Sequence, residues 1–275
     1  MKFILSGRIT EKFGEQAAAS LSFGQFIQLA ARTGYDGVCM RASFASVDTP
    51  AETVRVMKRQ LDVSGLKVSM VTGNYAIPHN DEHGPDALRH ITPHLDLAKA
   101  FGASLVRICM KKKEDIFWAQ KAADEARERG ITLVHQCHPA SLFETTDQIL
   151  EVIGRVSRAN FGIIYEATVL YMCGDPAPHQ AVARLAPYIF NVYVQNCRVH
   201  PTGQMTIETW TRGNVRVDWL PLPELGGTNF PEVFKALRQA GYDGPVTVHQ
   251  AFGGLLTPEV AARQSYEFLK PLVMR

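Results

Sequence analysis

Short runs rich in β-branched and apolar residues recur along the whole chain, and each is followed by a stretch with helical periodicity. The runs are KFILSG, DGVCMRA, KVSMVTG, ASLVRICM, ITLVHQCH, NFGIIYEA, IFNVYVQN and GPVTVHQAF, eight in all. Between them the helical grammar is explicit. In SFGQFIQLAARTG, Ser22 and Gln25 form a capping-box pair, Phe23, Ile27 and Ala30 share a face, and Gly34 supplies the stop. In FPEVFKALRQAGYDG, Asn229 and Glu232 cap, Val233, Phe234 and Leu237 form the apolar stripe, and Gly241 ends the helix. Pro93 predicts a kink or a late start in the third helical stretch.

Strand starts fall roughly every 30 residues, except that the seventh unit runs to roughly 55. Two helix-to-strand junctions, RTGYDGVCM and QAGYDGPVTV, are near copies. Eight strand–helix units without a polar linker predict an α/β fold, a closed (β/α)8 TIM barrel over residues 1–275 as a single domain, with an insertion after strand seven. No GxGxxG follows an early strand, which weakens the doubly wound alternative. In closed barrels of this kind, active sites are built at the carboxyl ends of the strands.

Composition adds little beyond class. The 275 residues are 46% hydrophobic and carry a formal charge of +2, so a full core is available and neither a nucleic-acid nor a membrane surface is indicated. Five cysteines without a CxxC pair read as reduced core residues, and MKFILSGRIT lacks the pattern of a signal peptide. The expectation is a cytoplasmic protein.

Side chains alternate along a strand, which places Gln136 with His138 on one face and His135 with Cys137 on the other. The same period groups Gly162, Ile164 and Glu166, then Tyr193, Gln195 and Cys197, then Thr247, His249 and Ala251. Small or β-branched residues followed by a polar one suit rows that face the barrel axis. Their polar ends converge, while His135 faces the helices as a structural residue.

The closing segment LPELGGTNFPEVFKALRQAGYDGPVTVHQAF resembles that of the xylose-isomerase-like superfamily of TIM barrels, the sugar phosphate isomerases and epimerases related to the endonuclease IV fold. LVHQCHP, YEATVLYMCGDP and NVYVQNCR carry the likeness through strands five, six and seven. The resemblance implies one divalent ion (Mn, Mg, Zn or Co) held by Glu, Asp, His and Glu on strands five to eight. Those places fall on Gln136, Glu166, Tyr193 with Gln195 two residues on, and His249. Only the strand-six carboxylate survives in kind, so the implied metal set is Gln136, Glu166, Gln195 and His249.

Gln136 accepts no proton near neutral pH, whereas His138 and His249 do, which puts a two-glutamate epimerisation in doubt. The expected catalytic residues are His138, His249 and Glu166, and the expected substrate contacts are Arg107, Arg198 and Trp210 or Trp219. The implied activity is a metal-dependent sugar or polyol isomerase or epimerase working through an enediolate. Two alternatives stand beside it: a lyase that eliminates an aglycone or water from a 3-keto sugar glycoside, and a non-catalytic sugar-binding barrel. The ligand is expected to be a small sugar or sugar derivative. Residues 199–224 are read as a lid or as a contact with a second copy or partner subunit. Lys111 to Lys113 read as a solvated loop before a phosphate site.

Overall fold

The computed structural model describes residues 1–12, 15–251 and 255–274. Eight strands close the barrel: β1 Lys2–Ser6, β2 Gly37–Met40, β3 Lys67–Val71, β4 Leu105–Ile108, β5 Thr132–Gln136, β6 Phe161–Tyr165, β7 Ile189–Val194 and β8 Pro245–Val248. Each pairs in parallel with its neighbours in sequence, and β1 closes the cylinder by pairing with both β2 and β8. These are the eight runs visible in the sequence; Phe252, at the end of the last one, lies outside the described residues.

The principal outer helices are α1 Phe23–Thr33, α2 Ala51–Ser64, α3 Thr92–Phe101, α4 Asp115–Glu128, α5 Thr146–Val156, α6 Pro178–Leu185, α7 Phe230–Gln239 and α8 Pro258–Val273. The Ser22–Gln25 capping box opens α1, and Gly34, in the left-handed conformation, closes it. Asn229 caps α7 through the Glu232 amide. Pro93 sits in the first turn of α3, so it marks a late start and not a kink. No helix among the described residues is long and apolar enough to cross a membrane.

Two apolar regions hold the barrel together. The larger lies between strands and helices. The smaller fills the barrel axis with Ile4, Cys39, Met70, Leu105, Val134, Ile164 and Tyr193, one residue from each of the first seven strands. Gly162 admits the Phe190 ring against this inner layer; a Cβ at position 162 would stand 2.4 Å from the Tyr188 carbonyl oxygen and 2.5 Å from that ring. All five cysteines are free and buried.

The segment after β7 folds as a three-stranded antiparallel sheet, with Gly213–Trp219 between Cys197–Val199 and Met205–Thr209. Its hairpin tip is pinned to the loop after β5. Glu144 accepts from the backbone N–H groups of Ala140 (2.6 Å), Trp210 (2.7 Å) and Thr211 (2.8 Å).

Candidate active site at the carboxyl mouth of the barrel

One rule builds the site. Strand residues two apart share a face, so the residue two places beyond each inner-layer position faces the axis at the carboxyl end. Ile4 is followed in this way by Ser6, Cys39 by Arg41, Met70 by Thr72 and Leu105 by Arg107. Val134, Ile164, Tyr193 and Thr247 are followed by Gln136, Glu166, Gln195 and His249. Every strand thus passes from the inner layer to a polar side chain at the same level, and all but Gln195 of the eight are buried.

A cavity of about 160 Å³ opens above this layer. Arg8, Arg41 and Arg107 line it, with Gln136, Gln195 and the two histidines His138 and His249. Ile207 and Trp219 of the post-β7 sheet contribute to its wall, so the insertion covers the mouth.

The arginines differ in their partners. Glu11, just after β1, accepts from Arg41 through both oxygens (3.0 and 2.8 Å), from Arg8 (3.0 Å) and from Ser43 (2.7 Å). Burial works against the Glu11 carboxylate, but the Arg41 and Arg8 guanidiniums outweigh it and hold its pKa below the usual range. Arg107 is 2% exposed, and its Nε and Nη1 form no hydrogen bond. Burial lowers its pKa, yet a guanidinium keeps its proton in a protein.

Glu166 lies beneath the cavity and does not line it. One of its oxygens accepts from the Gln136 amide and the other from the Gln195 amide. Burial raises its pKa to about 7, against the opposing pull of the two amides and Arg107. Its place is therefore that of a brace that orients two glutamines which do reach the cavity.

Both cavity histidines are neutral. For His138, burial and then the Arg107 charge push the pKa down to about 3. For His249, burial followed by Arg41, Arg107 and Arg8 drives it well below the ordinary imidazole value. His138 Nδ1 lies 2.8 Å from the Pro139 carbonyl, which only accepts, so the neutral ring carries its proton there and leaves Nε2 as an acceptor. His249 stacks on the Tyr193 ring, with centroids 3.7 Å apart, and its Nδ1 lies 3.0 Å from Ser6 Oγ. His135 is turned outward as its strand phase predicts, stacked on Phe143.

Three expected placements differ. Arg198 is outside the cavity, half-exposed on the inserted sheet and 3.6 Å from Asp218, because its strand has already left the barrel. Trp210 is 47% exposed at the hairpin tip, and Trp219 lines the cavity instead. Lys111 donates to the Asn80 and Ala140 carbonyls, both at 2.7 Å, and ties two loops together. Sequence reasoning missed Arg8, Arg41, Glu11 and Ser6. The alternation that picked out Gln136 would have found Ser6 and Arg41, had it been applied to β1 and β2.

The implied metal set does not fit a divalent ion. Gln136 and Gln195 turn their NH2 groups toward the carboxylate and occupy both of its oxygens, whereas a divalent ion needs acceptors. No group of three or more His, Cys, Asp or Glu among the described residues converges as a metal centre. Three guanidiniums at the same mouth repel a cation.

Solved structures share this architecture. A xylose isomerase domain protein from Planctomyces limnophilus matches with TM-score 0.74 at 16% identity, over 98% of this chain and 95% of that one. A xylose isomerase-like TIM barrel protein from Mycobacterium smegmatis in complex with magnesium matches with TM-score 0.71 at 18% identity, over 99% and 97%. D-allulose 3-epimerase from Methylomonas sp. in complex with D-allulose matches with TM-score 0.68 at 18% identity, over 98% and 96%. At such identities the likeness is one of fold. No curated protein sequence matches the chain. The family model described as xylose isomerase-like TIM barrel matches residues 27–272, and the chain belongs to that family.

Proposed function

We propose that this protein is an isomerase- or epimerase-type enzyme that moves a proton at a carbon beside a carbonyl of a small sugar derivative, with guanidinium groups carrying the negative charge that develops. The observation behind this reading is the meeting of two neutral imidazoles, His138 and His249, with three arginines in one small cavity.

The chemistry follows from those groups. Nε2 of His138 takes the proton from carbon, and the C–H electron pair moves to make an enediolate whose oxygen bears the charge. The arginines are already in place around that oxygen, so they need no reorganisation as charge develops. For isomerisation the hydroxyl proton of the enediolate shifts to the former carbonyl oxygen, and the imidazolium returns its proton to the neighbouring carbon. For epimerisation, the His138 imidazolium passes its proton through water to His249, whose imidazolium then delivers it to the opposite face of the same carbon. Glu166 acts through Gln136 and Gln195, which position substrate hydroxyls.

Loss of water from the same enediolate is the second reading. One imidazole takes the carbon-bound proton and, as the imidazolium, hands it to a departing hydroxyl, which leaves as water. Incubation in D2O with a panel of aldoses, ketoses and sugar acids tests both. Solvent deuterium entering an unchanged or isomeric product is expected for proton transfer to carbon, and loss of 18 mass units marks the elimination. Ligand binding with no deuterium exchange across the panel would leave a binding barrel and refute the enzyme reading.

A further inference from the structure

We infer that the cavity takes a monoanionic hydroxy- or oxo-carboxylate, a sugar acid in the broad sense, whose carboxylate is held by Arg107 in a place where a metal ion is not required. The inference deepens the proposed function and rests on the same cavity.

Its first support is an unsatisfied donor. Arg107 is almost wholly buried, lines the cavity, and leaves Nε and Nη1 without an acceptor. A buried guanidinium with no hydrogen-bond acceptor is costly to a fold, and a ligand anion relieves that cost. The second is the balance of charge. Among the described side chains of the mouth, Arg8 and Arg41 share the Glu11 carboxylate, and the Glu166 carboxyl is engaged by the Gln136 and Gln195 amides, so Arg107 is the guanidinium with no carboxylate bonded to it. The surplus at the mouth is positive and sits on Arg107, which suits an anionic ligand.

The third support is an unsatisfied acceptor in the same wall. Gln136 gives its NH2 to Glu166, and its buried Oε1 receives no hydrogen bond. A ligand hydroxyl is the complementary donor. The fourth is size. At about 160 Å³ the cavity is close to one that holds a benzene ring, room for a short polyhydroxy acid but tight for a hexose phosphate. A 2-oxo acid also sets a carbonyl oxygen beside its carboxylate, so one guanidinium can span both.

Calorimetric titration of the full chain in EDTA, with gluconate, sorbitol and glucose 6-phosphate as probes, tests the inference. Gluconate is expected to bind without added metal and tighter than either of the others. Arg107→Met is expected to weaken gluconate roughly a hundredfold or more, leave sorbitol within a fewfold, and raise the thermal midpoint of the free protein, since an unpaired buried charge is gone. The raised midpoint separates loss of a ligand contact from loss of folding. Gluconate no tighter than sorbitol, glucose 6-phosphate tighter than gluconate, or gluconate binding only after Mn2+ is restored would each overturn it. Binding of gluconate without deuterium exchange anywhere in the substrate panel would sink the catalytic reading and leave this one standing.

Discussion

Ser6 at the end of β1 and His249 just beyond β8 meet across the seam where the barrel closes, Oγ to Nδ1 at 3.0 Å and 243 positions apart in sequence. The contact holds the imidazole edge while the Tyr193 ring holds its face. Ser6→Ala removes the edge contact only. It is expected to cost about 1 kcal/mol of stability. If His249 moves a proton, turnover should fall about tenfold while ligand affinity changes little. Urea denaturation and steady-state kinetics read the two effects, and equal losses in kcat and affinity would count against a positioning role.

The buried titratable groups set the response to pH. His94 and His135 are held neutral by burial, with pKa values of about 4 and about 3 against the ordinary 6.5. Their folded-state values are depressed, so the unfolded chain binds more protons below pH 6.5 and stability falls as pH drops from about 6.5 toward 4. Glu166 acts in the opposite sense. Its folded-state value of about 7 lies above the ordinary 4.5, so its ionisation takes stability away as pH rises from about 4.5 to 7. With His138 and His249 acting in the same sense, four histidines against one carboxylate predict a net loss on the acid side. Glu166→Gln should steepen that loss, and a stability profile flat between pH 7 and 5 would contradict the assignment.

Glu144 is the clasp of the inserted sheet. Its carboxylate accepts three backbone N–H groups, two of them from the hairpin tip at Trp210 and Thr211. Glu144→Ala is expected to destabilise by about 3 kcal/mol and to speed hydrogen exchange through 205–217 more than in the barrel strands. Since Ile207 and Trp219 wall the cavity from that sheet, ligand dissociation should quicken as well. Unchanged exchange in the sheet would show that its other contacts suffice to hold it.

Gly162 tolerates no side chain at the base of the inner layer. Gly162→Ala places a methyl against the Tyr188 carbonyl and the Phe190 ring, and overpacking of that kind costs about 1–3 kcal/mol. A thermal midpoint unchanged by the substitution would mean that Phe190 can swing aside.

The candidate site was legible in halves. Gln136, Glu166, Gln195 and His249 were found on β5 to β8 because each strand run carries a polar residue at its far end, in phase with the inner row. Arg107 was found as a strand-end arginine. Arg41 stands in the same phase on DGVCMRA and carries the same signal, but a resemblance that draws attention to the last four strands hides it. What Glu166 does was not legible: an isolated carboxylate in an apolar run has the same appearance whether it binds an ion or braces two amides.

The order of strands and helices, their caps and the period-two rows facing the axis are local properties of the chain. Alternating and 3.6-residue patterns with turn residues between them determine these without long-range information, and the sequence alone therefore established the barrel. The closure of β8 on β1 brings Ser6 to His249, and the packing of the mouth brings Glu11 to Arg8 and Arg41 and leaves Arg107 without an acceptor. Charge balance in a cavity is a sum over side chains from distant strands, and no window of sequence contains it. Only the tertiary structure shows three arginines around one cavity with Arg107 lacking an acceptor, the arrangement on which the proposal of an anionic ligand rests.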